Sequence, residues 1–581
     1  MIRLLSRLFN IRQHEWPRLL MLYGMLFIFY AGMTWGETIS EASFLRQVGV
    51  KYLSLVFFAH ALVSIISTSI YAAFVDRIRN DRLLIVVSCA SVVAIGLGVA
   101  LLEMERFGAA YLTLYVLARV IRTIFILHWW TYVNGFYDTQ ASKRVVPVLS
   151  SSSRLAIITA GLTVPVLTSL MDTDRIMLIW IASLVVVSGL VWLMPRLVHE
   201  GQHGPEHGGS LKHTSHLENV REGFRYVSRS LYLRWMAAST FILVLIFALL
   251  NYQAGKTMLA EVNSVRQLSI FIGQINALAG LIMLPIQMFL FSRIVSRIGV
   301  GTANLIYPAG TLLISGLVVV FPADLSVAAL AYFDRTTFRF DVRETSNNLL
   351  YNAVPQRIKG RARAFIEGGI TPLGLIASSL LLIVLQQMTS NWALLSLLGL
   401  LAVAYMATAI ILRRQYSRAL ITMLEQEDIS VLLSLASDLT IADSNTMNWL
   451  KNKLNETANT DLKIFIAKII KEVGGSEARP ILEELSRSSD TYARLAAIEL
   501  LSDTDSRGEL APTFWMNLLD DADPHIRRAA LMGLQQWRGE DSPEFLETAL
   551  ECLRDPDIEV RSTAIPPLIR SGDLFYMAGA V

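Results

Sequence analysis

Residues 52–103 read YLSLVFFAHALVSIISTSIYAAFVDRIRNDRLLIVVSCASVVAIGLGVALLE. The two apolar runs in it, 52–74 and 83–103, each reach the roughly 20 residues a helix needs to cross a bilayer. The loop between them is short and carries Arg77, Arg79 and Arg82. Outward from this pair the same unit recurs, near 18–38, 109–130, 146–170 and 176–195, then 232–254, 268–290, 300–321, 326–350, 366–387 and 391–412. Beyond about residue 420 no such run exists. Composition agrees: 53% hydrophobic and 17% charged residues, with a mean hydropathy of +0.47, exceed what one soluble core buries, and the excess must face lipid.

The reading is therefore an all-α polytopic membrane protein of twelve crossings in two sets of six, followed by a soluble tail. Its expected parts are a first transmembrane half at 1–195, a linker at 196–230, a second half at 231–415 and a helical tail at 420–581. Loop charge orients them, because cytoplasmic loops are rich in Lys and Arg. Every second loop is basic, with Arg77, Arg79 and Arg82, then Lys143 and Arg144, then the central linker, then Arg293 and Arg297, then Arg357, Lys359, Arg361 and Arg363. The opposite loops are short and sparse, such as Asp172 to Arg175. Both termini are expected in the cytoplasm. Arg3, Arg7, Arg12 and Arg18 precede the first apolar run, after which no small-residue cleavage site follows, so that run reads as a retained helix.

Several functions are disfavoured. A net charge of +3 without a basic cluster in the tail argues against nucleic acid as a partner. Cys89 and Cys552 are the two cysteines, too few for a disulfide framework or a thiolate metal site. The linker holds His199, His203, His207, His213 and His216, but a flexible polar stretch without cysteine or clustered carboxylates does not fix ligand geometry, and no metal is expected. No nucleophile paired with a base and no phosphate-cradling glycine loop points to an enzyme or a cofactor.

The tail repeats itself. Asp490-Thr-Tyr-Ala493-Arg494 leads to Ala497, Ile498 and Leu501; Asp523-Pro-His-Ile526-Arg527 leads to Ala530, Leu531 and Leu534; Asp557-Ile-Glu-Val560-Arg561 leads to Ala564, Ile565 and Leu568. An Asp at the helix start accepts backbone N–H bonds, the Arg can pair with a neighbouring Asp, and the small Ala lets helices approach. The pattern resembles HEAT repeats, helix pairs stacked into a solenoid, with looser copies at 425–475. That resemblance implies a surface for a cytoplasmic protein partner.

Charges inside the crossings carry the functional signal, since each costs several kcal/mol at the bilayer centre unless it faces a cavity or a partner. The fourth crossing has Arg119 and Arg122, the fifth Arg154, and the tenth Arg335, Arg339 and Arg343 at spacings of four, with Asp334 and Asp341 on another face. Crossings four and ten hold equivalent places in the two halves, so both are expected to aim arginines at a central cavity suited to an anion. The expected substrate contacts are Arg119, Arg122, Arg154, Lys256, Arg335, Arg339, Asn347 and Tyr351. Glu37, Glu41, Asp334, Asp341 and Glu367 are the carboxylates expected to pair with these arginines, gate the cavity or couple to a proton. Asn251 and Gln253, near the end of crossing seven, and Asn348 can hydrogen-bond a polar substrate or anchor helix ends.

Trp129-Trp-Thr-Tyr-Val-Asn134, continued through Lys143-Arg144 to Pro147, resembles the junction of spans four and five in the ATP/ADP translocases. Tyr351, Lys359, Arg361, Arg363 and Ile366-Glu367 are similar to that family's junction of spans ten and eleven. The resemblance implies a major facilitator-type fold and a transport role. The domain order also resembles bacterial relatives fused to HEAT repeats, which implies the inner membrane. The chain departs from the family at its substrate charges: an Arg-Asp-Thr-Lys motif is replaced by Gly36-Glu37-Thr38-Ile39, a glutamate by Ala118, and a lysine by Asn347. Two functions follow as expectations: a transporter of an anionic small molecule such as a nucleotide or another phosphorylated or carboxylated metabolite, or an anionic-lipid flippase or scaffold.

Overall fold

The computed structural model describes residues 15–75, 77–104, 107–137, 139–197, 216–388 and 391–426, and most of 450–577. Four of the linker histidines, the basic N-terminal segment and most of 425–475 lie outside the described residues, as do the side chains of Lys143, Arg144 and Arg357. Every regular element among the described residues is helical. The chain separates into two compact units, one of Met1–Ile294, Thr302–Tyr351 and Gln356–Gln415, the other of Val295–Gly301, Asn352–Pro355 and Tyr416–Val581.

The first unit contains α1 (Trp16–Ser43), α2 (Leu53–Phe74), α3 (Asn80–Glu103), α4 (Phe107–Asn134), α5 (Thr139–Leu170) and α6 (Ile176–Leu197). There follow α7 (His216–Arg229), α8 (Leu231–Glu261), α9 (Val265–Pro285) and α10 (Ile306–Val320). The continuous helix α11 joins Leu325–Phe333, a π-helical stretch Asp334–Arg343 and Glu344–Leu350. Last come α12 (Gln356–Phe365), α13 (Thr371–Gln387) and α14 (Trp392–Gln426), whose residues from Tyr416 on belong to the second unit.

Eleven helices among the described residues are long and apolar enough to cross a membrane, one fewer than expected. The missing one is α11. It has the length, since at 1.5 Å per residue its run from Leu325 to Leu350 spans about 39 Å, but Asp334, Arg335, Arg339, Asp341, Arg343 and Glu344 make it too charged to count by composition. Large apolar side chains lie exposed on the outer helices, among them Ile66, Leu97, Leu162, Leu313 and Leu400. That inverts the arrangement of a soluble surface and fits a multi-pass integral membrane protein.

Helices approach closely where side chains are small. Gly32 and Gly36 on α1 face Ser183 and Trp180 on α6, and Gly161 on α5 meets the main chain of Gly273 and Ala277 on α9. Without water to drive apolar helices together, such close approach supplies the packing energy. The first six helices meet the next set through α5 against α9 and α2 against α13. Trp129 and Tyr132, from the motif that carried the resemblance, are fully buried beside Phe125 and Phe136. That motif builds core.

The second unit includes α15 (Thr460–Val473), α16 (Ala478–Leu485), α17 (Thr491–Thr504), α18 (Pro512–Leu518), α19 (Pro524–Arg538), α20 (Pro543–Cys552) and α21 (Ile558–Arg570). Helices α15, α17, α19 and α21 pack in succession, and α16, α18 and α20 each pack against the helix that follows. Asp490, Asp523 and Asp557 accept the backbone N–H of Tyr492, His525 and Glu559 at 3.1, 2.9 and 2.7 Å. Arg494 reaches Asp521 at 3.3 Å and Arg527 reaches Asp555 at 2.7 Å, each pair joining consecutive repeats. Ala497, Ala530 and Ala564 are fully buried, whereas Ile565 stays partly exposed. Gly533 packs on the indole of Trp515, leaving no room for a Cβ.

Candidate functional site

A cavity of about 260 Å3 in the first unit is walled by α1, α2, α4, α8, α11 and the segment leading into α13. One end is exposed and the other buried: Thr123, Phe340, Glu367 and Gly368 are exposed, while Glu41, Tyr115, Tyr332 and Arg335 are not. Thr123 follows Tyr115 along α4, Phe340 follows Tyr332 along α11, and α1 reaches Glu41 only near its C-terminus. The open end therefore lies on the face where α1 begins and α4 ends.

Four arginines line this space, Arg119 and Arg122 from α4 and Arg335 and Arg339 from α11. The π-helical stretch gives α11 an extra residue per turn, and it turns Arg335, Thr336, Arg339 and Phe340 together toward the cavity. Two of the four arginines are neutralised. Arg122 pairs with Glu37 at 3.0 Å, and Arg335 forms a buried ion pair with Glu41, reinforced by the Tyr332 hydroxyl, which donates to Glu41 at 3.4 Å. The third lining carboxylate, Glu367, is held by Arg363 at 2.9 Å.

Arg119 and Arg339 differ from the others. Among the described residues neither has a carboxylate within ion-pair distance: Arg119 donates to the Tyr115 hydroxyl, and the Nε of each is buried without an acceptor. Both guanidinium groups approach the ring of Phe247 on α8, with centroid distances of 5.7 Å for Arg119 and 5.0 Å for Arg339. Phe57 on α2 backs the same ring at 5.9 Å. His60, also on α2, lines the cavity with its Nδ1 buried and unbonded. Cation–π contact offsets only part of the desolvation of a guanidinium. The arrangement is two cations against one aromatic ring, beside an imidazole, in a mostly apolar pocket.

The other expected contacts lie elsewhere. Arg154 does not line this cavity but borders a small pocket beside it together with Glu37, Arg122, Thr336 and Phe340 of the cavity wall. It forms a buried ion pair with Asp341 and donates to Gln287 Oε1 at 3.2 Å, tying α5 to α11 and to the π-helical stretch Ile286–Leu290 that continues α9. Asp334 accepts hydrogen bonds from Thr311 at 2.8 Å and Tyr307 at 3.3 Å on α10 and does not line the cavity. Arg343 leaves the expected arginine face to donate to the hydroxyl of Tyr405 at 3.1 Å. Lys256 is exposed and donates to Asn391 at 3.3 Å, while Gln253 donates to the Pro322 carbonyl at 2.7 Å, so both fasten helix ends. Asn347 is buried outside the cavity, Tyr351 lies under the Arg363 guanidinium at 5.6 Å, and Asn348 accepts from Arg363 at 2.6 Å. A four-residue spacing shows which residues share a helix face but not which face looks inward.

His60, Phe247, Tyr115 and Tyr332 were not singled out by the sequence. An aromatic residue in an apolar run has no distinguishing signal, and His60 stands alone in its span. Asn251 was visible as a polar residue in a crossing. It lies one turn beyond Phe247 on α8, fully buried, with neither amide atom bonded. Among the described residues no group of His, Cys, Asp and Glu is arranged to hold a metal ion.

Residues 100–335 match the family described as TLC ATP/ADP transporter, a stretch that includes Arg119 and Arg335 and ends before Arg339. Among curated proteins none matches the chain. Similar solved structures include the nucleoside transporter NupG, at 12% identity and a TM-score of 0.47, covering 70% of this chain and 99% of that one. A POT family transporter in complex with 5-aminolevulinic acid is similar at 11% identity and a TM-score of 0.49, covering 68% and 96%. The POT family transporter PepTSo is similar at 11% and 0.48, covering 71% and 99%. This chain is a multi-pass integral membrane protein that is similar, over residues 100–335, to the ATP/ADP transporters.

Proposed function

We propose that this protein transports an anionic solute, a nucleotide or another phosphorylated or carboxylated metabolite, by alternating access of two six-helix halves, with α11 as the twelfth crossing. One observation carries the reading: Arg119 in the first half and Arg339 in the second line one cavity and share the ring of Phe247, and among the described residues neither has a carboxylate within ion-pair distance. Two uncompensated guanidinium groups in a low-dielectric pocket are costly, and a soluble anion with two negative charges removes that cost while accepting their forked hydrogen bonds. The basic loops support a cavity open to the cytoplasmic side, an inward-facing arrangement in an inner membrane. The second unit, with its capped and cross-linked helix pairs, serves as a HEAT-type solenoid for a cytoplasmic protein partner.

Thermal stabilisation of the purified full-length protein by a panel of nucleotides, phosphorylated metabolites, dicarboxylates and anionic lipids tests the transport reading, because a ligand raises stability by mass action. A soluble dianion is expected to stabilise the parent and to lose that effect in Arg119→Gln and Arg339→Gln. Stabilisation by lipid alone, or by an anion that ignores both substitutions, overturns it.

A further inference from the structure

Helix α7 takes no part in the cavity. One face of it is closed: Gly223 and Val227 are buried, and a Cβ on Gly223 would collide with the main chain of Arg361 and the side chain of Phe365 in α12. Helix α12 opens the candidate crossing Ile358–Gln387, and α7 leads through Ser230, whose hydroxyl caps α8 by accepting from the Leu233 N–H at 3.3 Å, into the crossing Leu231–Glu261. Contact with the starts of two crossings sets α7 at the depth where hydrocarbon gives way to headgroups.

Beside it the helix is open. Phe224, Ser228 and Leu231, spaced four and three apart, form an exposed stripe, with Phe224 58% and Leu231 47% accessible although the Phe224 ring also meets Phe365 of α12 at 5.7 Å. Arg225 and Arg229 flank it and Arg234 follows on α8. All three are exposed, and none has an ion-pair partner among the described residues. The acidic residues of the helix, Glu218 and Glu222, precede the stripe in sequence. An apolar stripe edged by unpaired arginines is what an interfacial helix presents to a membrane. A soluble acidic protein would match the arginines but would leave Phe224 and Leu231 facing acyl chains that it cannot reach.

We propose that α7 and the start of α8 form a binding site for anionic phospholipid headgroups, with Arg225, Arg229 and Arg234 on the phosphates and Phe224 and Leu231 in the upper acyl layer. This site is separate from the cavity and does not depend on what the cavity carries.

The test uses the full-length protein in neutral detergent, titrated with phosphatidylglycerol, phosphatidylcholine or free glycerol 3-phosphate, with melting temperature and bound lipid by native mass spectrometry as readouts. Phosphatidylglycerol is expected to raise the melting temperature by about 3 °C and to remain bound, while the other two do neither. The triple variant R225Q/R229Q/R234Q is expected to lose both effects and R225K/R229K/R234K to keep them, with any stabilisation by a soluble anion through the cavity unchanged in both. If the parent shows no preference for phosphatidylglycerol, or the glutamine variant retains it, the proposal is wrong. Should the glutamine variant not fold, Phe224→Ser with the arginines intact decides: weakened lipid retention supports the site, and unchanged retention overturns it. A response to glycerol 3-phosphate that the arginines control would assign the site to a free phosphate and overturn the lipid reading.

Discussion

The two units use arginine and carboxylate in opposite ways. In the repeat unit the pairs span 27 and 28 residues, join consecutive repeats and sit at the helix starts near solvent: Arg494 with Asp521, Arg527 with Asp555. Inside the crossings of the membrane unit the partners lie far apart in sequence, Arg122 with Glu37, Arg335 with Glu41, Arg154 with Asp341; among the described residues there, Arg343 has a tyrosine hydroxyl instead, and the cavity arginines Arg119 and Arg339 have no carboxylate within ion-pair distance. Near water such a pair adds little beyond geometry. In a membrane it decides whether a charge can be there at all, so an unmatched arginine points to a ligand in a way that an unmatched surface arginine does not.

The largest expected effect separates the two settings. Arg154→Met strands Asp341 and should destabilise the membrane unit by about 3–5 kcal/mol, the range for breaking a buried pair. R154M/D341L should recover most of it. If unfolding in detergent shows the double variant no better than the single, the pair is not what α5 and α11 depend on. A smaller loss, about 1–3 kcal/mol, is expected in the repeat unit from Gly533→Val, whose side chain must displace Trp515. Hydrogen exchange of α18 and α19 amides reads it, and unchanged protection would show the contact to be slack.

Smaller still is Arg527→Ala, about 1 kcal/mol at neutral pH. This pair also gives the sign of an acid effect. The Arg527 hydrogen bond holds the Asp555 carboxyl below its ordinary range, so its contribution is complete above the unfolded value of about 3.9 and is lost as pH falls through the lowered folded value. The difference between parent and variant in α19 and α21 protection should shrink in acid, and a difference that grew would refute the assignment. Lys256→Ala marks the lower end, within about 0.5 kcal/mol and with no change in the response to anions. A lost response would return Lys256 to the site.

What the sequence revealed follows the same division. The tail repeat could be read residue by residue because its contacts are local and recur, down to the capping aspartates. The membrane helices were legible from apolar length and basic loops, and α11 was recognised as a helix although its six charges hide it from a composition measure. Arg119, Arg122, Arg335 and Arg339 stood out because charge in a crossing demands an explanation. Arg154, Lys256, Asn347 and Tyr351 looked similar and do not line that cavity, Arg154 bordering only the small pocket beside it, since nothing local says which helix face turns inward. Phe247 and His60 remained hidden because their importance comes from what the fold sets beside them.

The two unmatched arginines on Phe247 also have an electrical consequence. If the halves rock about this cavity, the empty protein carries two extra positive charges through part of the membrane field, whereas a protein loaded with a dianion carries none. A potential acts on a moving charge with roughly 2.3 kcal/mol per elementary charge per 100 mV. Voltage would then govern the return of the empty carrier and leave the loaded step nearly untouched. Currents recorded on a supported membrane, with saturating anion on both sides and then on one, would show whether charge moves only when the site is vacant.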